Sequence, residues 1–120
     1  MKKVIIDAFG GDNAPKEVIL GTLLALEKDK SFVAVLVGDK QKIEEILEKE
    51  TYDKTRVEIL DAKDVITCEE EPTVAVRRKP NSSICVAFKE LKENENAKAF
   101  VSAGSTGAVV VGGTLMVKRI

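Results

Sequence analysis

Short unbroken apolar runs alternate along this chain with stretches whose apolar residues recur at helical spacing, and that order constrains its fold most. Residues 4–6 form the first run. The segment PKEVILGTLLALEK, residues 15–28, follows with Ile19, Leu23 and Leu26 on one helical face. Pro15 stands where a helix start tolerates proline, with Glu17 in the first turn and Lys28 near the end, both favourable to the helix dipole. Residues 32–37 are wholly apolar and are closed by Gly38 and Asp39. Residues 40–50 then read as a helix with Ile43, Ile46 and Leu47 inward, and residues 57–60 as a third strand.

The middle, EEEPTVAVRRKPNSS, is punctuated by Pro72 and Pro80. It predicts a short helical turn over 72–78, a loop over 79–81, and a helix capped by Asn81 or Ser82. That helix runs to about residue 93 with Ile84, Ala87, Phe88 and Leu91 inward. A fourth strand is expected over 99–102, in an apolar run that starts at Ala97 and reads as buried. It leads through SAGSTGAVVVGG into a buried helix over 108–117.

Strands that lack strict alternation and are separated by helices belong to a parallel sheet covered on both faces, so the fold class is α/β, doubly wound and mostly parallel. Ligands of such sheets collect at the carboxyl ends of the strands. Three groups are expected there: Asp7 to Asn13, Gly38 with Asp39, and Ser102 to Gly107. No repeat, low-complexity segment or linker divides the chain, which reads as a single domain over residues 1–120. The last apolar segment runs through Met116, Val117, Lys118, Arg119 and Ile120 with no glycine stop, so the expectation is the N-terminal part of a longer protein.

Charge narrows the partners. Nineteen basic residues against twenty acidic ones leave a net charge of -1, so no general attraction to nucleic acid or anionic lipid is expected. The start, KKVIIDA, lacks the pattern of a secretory signal, and no apolar tract reaches the roughly 20 residues a bilayer needs. Cys68 and Cys85, without any histidine, cannot make a tetrahedral zinc site unless several ligands come from elsewhere, and they read as free thiols of a cytosolic protein. The lack of histidine also removes the usual base of a serine or cysteine nucleophile. Chemistry here leans on carboxylates, amines and backbone dipoles.

Three motifs carry that chemistry. In SAGSTGA a strand delivers Ser102, Gly104, Ser105, Thr106 and Gly107 to a helix start, which supplies backbone N–H groups and hydroxyls suited to a phosphate. It lacks the lysine of a Walker loop and the glycine spacing of a dinucleotide fingerprint, and a capped strand-to-helix turn explains it as well. In DAFGGDNAP, Gly10 and Gly11 allow a tight loop in which Asp7 and Asp12 could fix hydroxyls, a cation or a metal. The alternative is a turn in which Asp12 or Asn13 caps the helix. In VRRKPNSS, Arg77, Arg78 and Lys79 offer cations, with Ser82 and Ser83 as donors, to a phosphate or a phosphopantetheine-bearing carrier. The alternative is a solvated patch neutralised by Glu69, Glu70 and Glu71.

DAFGGDNAP, EEEPTVAVRRKPNSS and SAGSTGA, in this order and at these separations, make the whole chain resemble the first third of the phosphate acyltransferase (PlsX) family of bacterial phospholipid synthesis. Phe9 stands where that pattern has methionine, and Ser105 where asparagine is common. The resemblance implies a two-lobed homodimer with a fold similar to that of phosphotransacetylases and isopropylmalate dehydrogenases. It also implies transfer of a fatty acyl group from acyl carrier protein to inorganic phosphate, giving acyl phosphate, with no cofactor and no metal. The expected setting is the cytoplasm, with peripheral membrane contact through segments beyond this chain. In that frame Gly10, Gly11, Ser82, Ser83, Ser102, Gly104, Ser105, Thr106 and Gly107 are candidate phosphate ligands. Asp12, Arg78 and Lys79 are candidate catalytic groups, and Asp7 and Asn13 orienting ones. A non-catalytic phosphate- or nucleotide-binding module, or a phosphotransacetylase-like enzyme using acyl-CoA, are the alternatives. A dehydrogenase half is disfavoured by the missing dinucleotide fingerprint.

Overall fold

A computed structural model of the chain describes residues 1–11, 14–66, 70–104 and 106–113. Four strands, β1 (Lys2–Asp7), β2 (Phe32–Gly38), β3 (Val57–Asp61) and β4 (Ala97–Val101), form one sheet in the order β3-β2-β1-β4. Every pairing is parallel. Helices α1 (Lys16–Lys28) and α2 (Lys40–Leu47) lie on one face, and α3 (Pro72–Arg78), α4 (Ser83–Glu93) and α5 (Thr106–Gly112) on the other. The doubly wound parallel class expected from the sequence is the class observed.

Side-chain alternation sorts the core. Ile6, Ala34 and Leu36 pack with Ile19, Leu23 and Leu26 of α1 and with Ile43 and Leu47 of α2. Their neighbours Ile5, Val35 and Val37 point the other way, onto Ala87 of α4 and onto Ala62 and Ala97. A third cluster joins Val76 of α3, Ile84, Cys85 and Phe88 of α4, and Ala108 of α5. Within it the Phe88 and Phe100 rings meet edge to face, with centroids 4.9 Å apart. Among the described residues no helix is long and apolar enough to cross a membrane.

Most helix ends follow the local chemistry. Asp39 caps α2 by accepting from the N–H groups of Gln41 and Lys42, Glu71 caps α3 through Val74 N–H, and Ser82 caps α4 through Cys85 N–H. Pro15 occupies the cap position of α1 without a side-chain bond. Two elements depart from the expected pattern. Among the described residues the run from Ala97 is not a buried strand: β4 is the outermost of the four strands, and on the face that α1 and α2 cover elsewhere Ala99 is exposed and Val101 is 55% exposed. In α5, Ala108 is buried but Val110 is 62% exposed; among the described residues α5 packs chiefly against α3 and α4. The expected helix beyond residue 113, and Cys68, lie outside the described residues.

Candidate functional site: the crevice between β1 and β4

From β1 the chain crosses one face through α1 to reach β2. From β3 it returns across the opposite face, through α3 and α4, to place β4 on the other side of β1. The two connections diverge at the carboxyl ends of β1 and β4, the kind of switch point at which doubly wound sheets bind their ligands. Residues 8–11 form one rim, and residues 102–104 with the first turn of α5 the other.

The rims touch through glycine and a buried carboxylate. Asp7, the last residue of β1, is 2% exposed. One carboxylate oxygen, Oδ1, accepts the Phe9 N–H at 3.1 Å, and the other, Oδ2, accepts the Ser102 hydroxyl at 2.9 Å. Ser102 Oγ in turn accepts the Gly104 N–H at 3.1 Å. Gly10 lies directly over this chain of bonds: a Cβ there would come within 2.8 Å of Gly104 N and 2.9 Å of both Asp7 Oδ2 and Ser102 Oγ. A Cβ on Gly104 would stand 3.2 Å from Gly10 Cα. Glycine is required on both rims because the two backbones lie against each other. Gly11 has a φ of 99°, a left-handed conformation that glycine adopts without strain, and it lies over Ala103. Phe9, at the place of a methionine in the resembled pattern, packs its ring against Gly38 and the α1/α2 core.

The structure therefore brings Asp7, Gly10, Gly11, Ser102 and Gly104 together, and it redefines two of them. Ser102 and the Gly104 N–H were expected to face an anion. Here the Ser102 proton is donated inward to Asp7, and the Gly104 N–H is taken by Ser102. Gly107 opens the first turn of α5 against the ring of Pro72, so its missing Cβ admits α3. Thr106 starts α5. Asp12, Asn13 and Ser105 lie outside the described residues.

The VRRKPNSS residues are not brought to the crevice in the way their charges suggest. Pro72, at the start of α3, touches Gly107, while Arg78 ends that helix. Six residues at 1.5 Å each put Arg78 about 9 Å further along the axis. Arg77 and Arg78 are exposed there. Lys79 is held by Glu70 at 2.7 Å and by the Val65 carbonyl at 3.0 Å, so its charge is already countered. Ser82 and Ser83 are 0% and 1% exposed and offer no surface to an anion. Ser82 Oγ caps α4, and the Ser83 N–H binds the Asp64 carbonyl at 2.9 Å, in a bridge between residues 64 and 82. The Ser83 hydroxyl has no hydrogen-bond partner among the described residues. Gly38 and Asp39, the third group at the strand ends, serve α2, with Asp39 and Asp61 sharing Lys63 at 4.0 and 3.2 Å.

Sequence reasoning missed the Asp7–Ser102 bond and the Pro72–Gly107 contact. A signal for the first was present: both residues end adjacent parallel strands, and an aspartate closing an apolar strand needs a donor. The second carried none, since a glycine at a helix start reads equally well as loop chemistry.

The fold is that of a doubly wound α/β protein, and the candidate ligand region is the pair of glycine loops that meet at the switch point. The fatty acid synthesis protein family model matches residues 2–120, and the chain belongs to that family. Similar proteins include those named phosphate acyltransferase from Clostridium acetobutylicum, 46% identical over 117 residues, and from Caldicellulosiruptor bescii, 47% identical over 118. Another, from Acetivibrio thermocellus, is 43% identical over 117 residues. Each alignment covers 98% of this chain and 34–35% of the relative, so the chain spans about a third of the length of the curated relatives it matches.

Proposed function

We propose that this chain forms the phosphate-receiving part of a phosphate acyltransferase that moves a fatty acyl group from acyl carrier protein to inorganic phosphate. A phosphate oxygen attacks the thioester carbonyl, the C–O bond forms, the C–S bond breaks, and the thiolate leaves with the proton that hydrogen phosphate gives up. The products are acyl phosphate and the free thiol of the carrier. Phosphate is itself the nucleophile, so a histidine-activated serine or cysteine is unnecessary. The protein's task is to hold phosphate against the carbonyl, to meet the developing oxyanion with fixed donors, and to exclude water that would hydrolyse the product.

The observation that carries this reading is the meeting of the two glycine rims at the switch point, Gly10 against Gly104. Membership of the fatty acid synthesis protein family and the relatives named phosphate acyltransferase support it. Gly10, Gly11 and the loop from Gly104 to Gly107 surround the phosphate. Arg77 and Arg78, exposed at the end of α3, receive the phosphopantetheine phosphate of the carrier, and Asp12 and Asn13 orient the bound anion. The rest of a two-lobed homodimer completes the cleft, in the cytoplasm and in peripheral contact with the membrane.

The test uses the full-length protein with acyl carrier thioester and inorganic phosphate, trapping acyl phosphate with hydroxylamine. Hydroxamate that depends on both substrates is expected, and Gly104→Val should abolish it, because its side chain would displace Gly10. Absence of hydroxamate with the wild-type protein overturns the proposal. Turnover only with the coenzyme A thioester would move the reading to a phosphotransacetylase-like enzyme.

A further inference from the structure

We infer that Asp7 and Ser102 are positioning residues whose hydrogen-bond relay sets the separation of the two loops that receive phosphate, an inference that rests on the function proposed above. The relay has a direction. The Gly104 N–H donates to Ser102 Oγ, and the Ser102 hydroxyl donates to Asp7 Oδ2, while Asp7 Oδ1 takes the Phe9 N–H. A carboxylate only accepts, so it compels the serine proton inward and leaves the Oγ lone pair for Gly104. One buried side chain thereby holds backbone from both rims: Phe9 on the β1 loop directly, and Gly104 on the β4 loop through Ser102. Gly10 fits over the relay with no room for a Cβ.

Two consequences follow for the anion. Ser102 and the Gly104 N–H are spent on the relay, so they shape the site without themselves touching phosphate. The Asp7 charge is 2% exposed and is met by an N–H and a hydroxyl, so it lies behind the loops as an anchor. Bonds to a charged acceptor are the stronger kind. Loss of the relay releases the 102–104 segment from β1 and should weaken phosphate capture by about tenfold or more. Carrier docking at the end of α3 should be unaffected.

The experiment measures initial rates of the full-length protein with phosphate and acyl carrier varied separately, for the wild type, Ser102→Ala, Asp7→Asn and the double variant. The asparagine amide can donate to Ser102 Oγ and so reverses the relay. KM for phosphate is expected to rise about tenfold or more in each single variant, with KM for acyl carrier within twofold of the wild type. The double variant should be no worse than the poorer single one, since both remove the same relay. Unchanged KM for phosphate in Ser102→Ala, equal rises in both KM values, or multiplying effects in the double variant overturn the inference. If the wild type forms no acyl phosphate, the proposed function fails on its own, and phosphorus NMR titration with inorganic phosphate decides the relay. Weaker binding by Ser102→Ala than by the wild type upholds it; equal affinity, or no binding by either, overturns it.

Discussion

Arg56 is 9% exposed, and its guanidinium donates to three backbone carbonyls. Nη1 reaches Leu26 O at 2.8 Å, Nη2 reaches Asp29 O and Phe32 O, and Nε adds a second bond to Phe32 O at 3.2 Å. These carbonyls lie at the end of α1 and the start of β2, so one side chain fastens the first crossover to the residue that precedes β3. Arg56→Ala should destabilise the full-length protein by roughly 2–4 kcal/mol, and Arg56→Lys should restore little, because an ammonium lacks the planar fork. Urea unfolding midpoints check this. Nothing in DKTRVEI marked that arginine: two residues after a lysine in a polar segment, it reads as solvated. For Lys79 the weighed alternative holds: the basic run has a neutralising partner in Glu70, nine residues earlier. Ser102 was expected among the phosphate ligands and lies where β1 and β4 end, but a hydroxyl's direction is set by its neighbour, and Asp7 is distant in sequence.

At the scale of the element, the helices were legible because capping and periodicity are local. Ser82 was one of two expected caps for α4, and the inward residues Ile84, Ala87 and Phe88 are buried. Ser82→Ala should cost about 1–2 kcal/mol. Three carboxylates are held ionised by hydrogen bonds, Asp29 and Asp53 by their own turns and Asp61 by the start of α2. The Ser31 hydroxyl, followed by its N–H, lowers the pKa of Asp29 below the ordinary 3.8; the Thr55 hydroxyl and N–H lower that of Asp53. The Lys40 N–H, then Lys63, lowers that of Asp61. A depressed carboxylate pKa contributes stability that is present above about pH 4 and is lost as pH falls through the folded-state value. The urea midpoint should therefore fall below about pH 4 on this account, and Asp53→Asn or Asp61→Asn should flatten that acid limb. An acid limb equally steep in both variants would contradict the assignment.

At the scale of the whole molecule, the parallel class followed from the order of apolar runs, whereas the position of β4 did not. A strand's apolar content says that something covers it, not how many of its faces the neighbouring helices reach, and Val101 shows the difference. The edge-to-face pair of Phe88 and Phe100 ties α4 to that outer strand. Phe88→Ala should cost roughly 3–5 kcal/mol and loosen β4 first, seen as faster amide exchange over residues 97–101 than over β2. On the proposed function, the loops leaving β1 and β4 grip one phosphate together. The most direct measurement is a titration of the glycine-labelled full-length protein with inorganic phosphate, following amide resonances by NMR. Shifts are expected at Gly10, Gly11, Gly104 and Gly107 that share one saturating curve and are absent with chloride at equal ionic strength. Shifts confined to one of the two loops, or none at these four glycines, would contradict it.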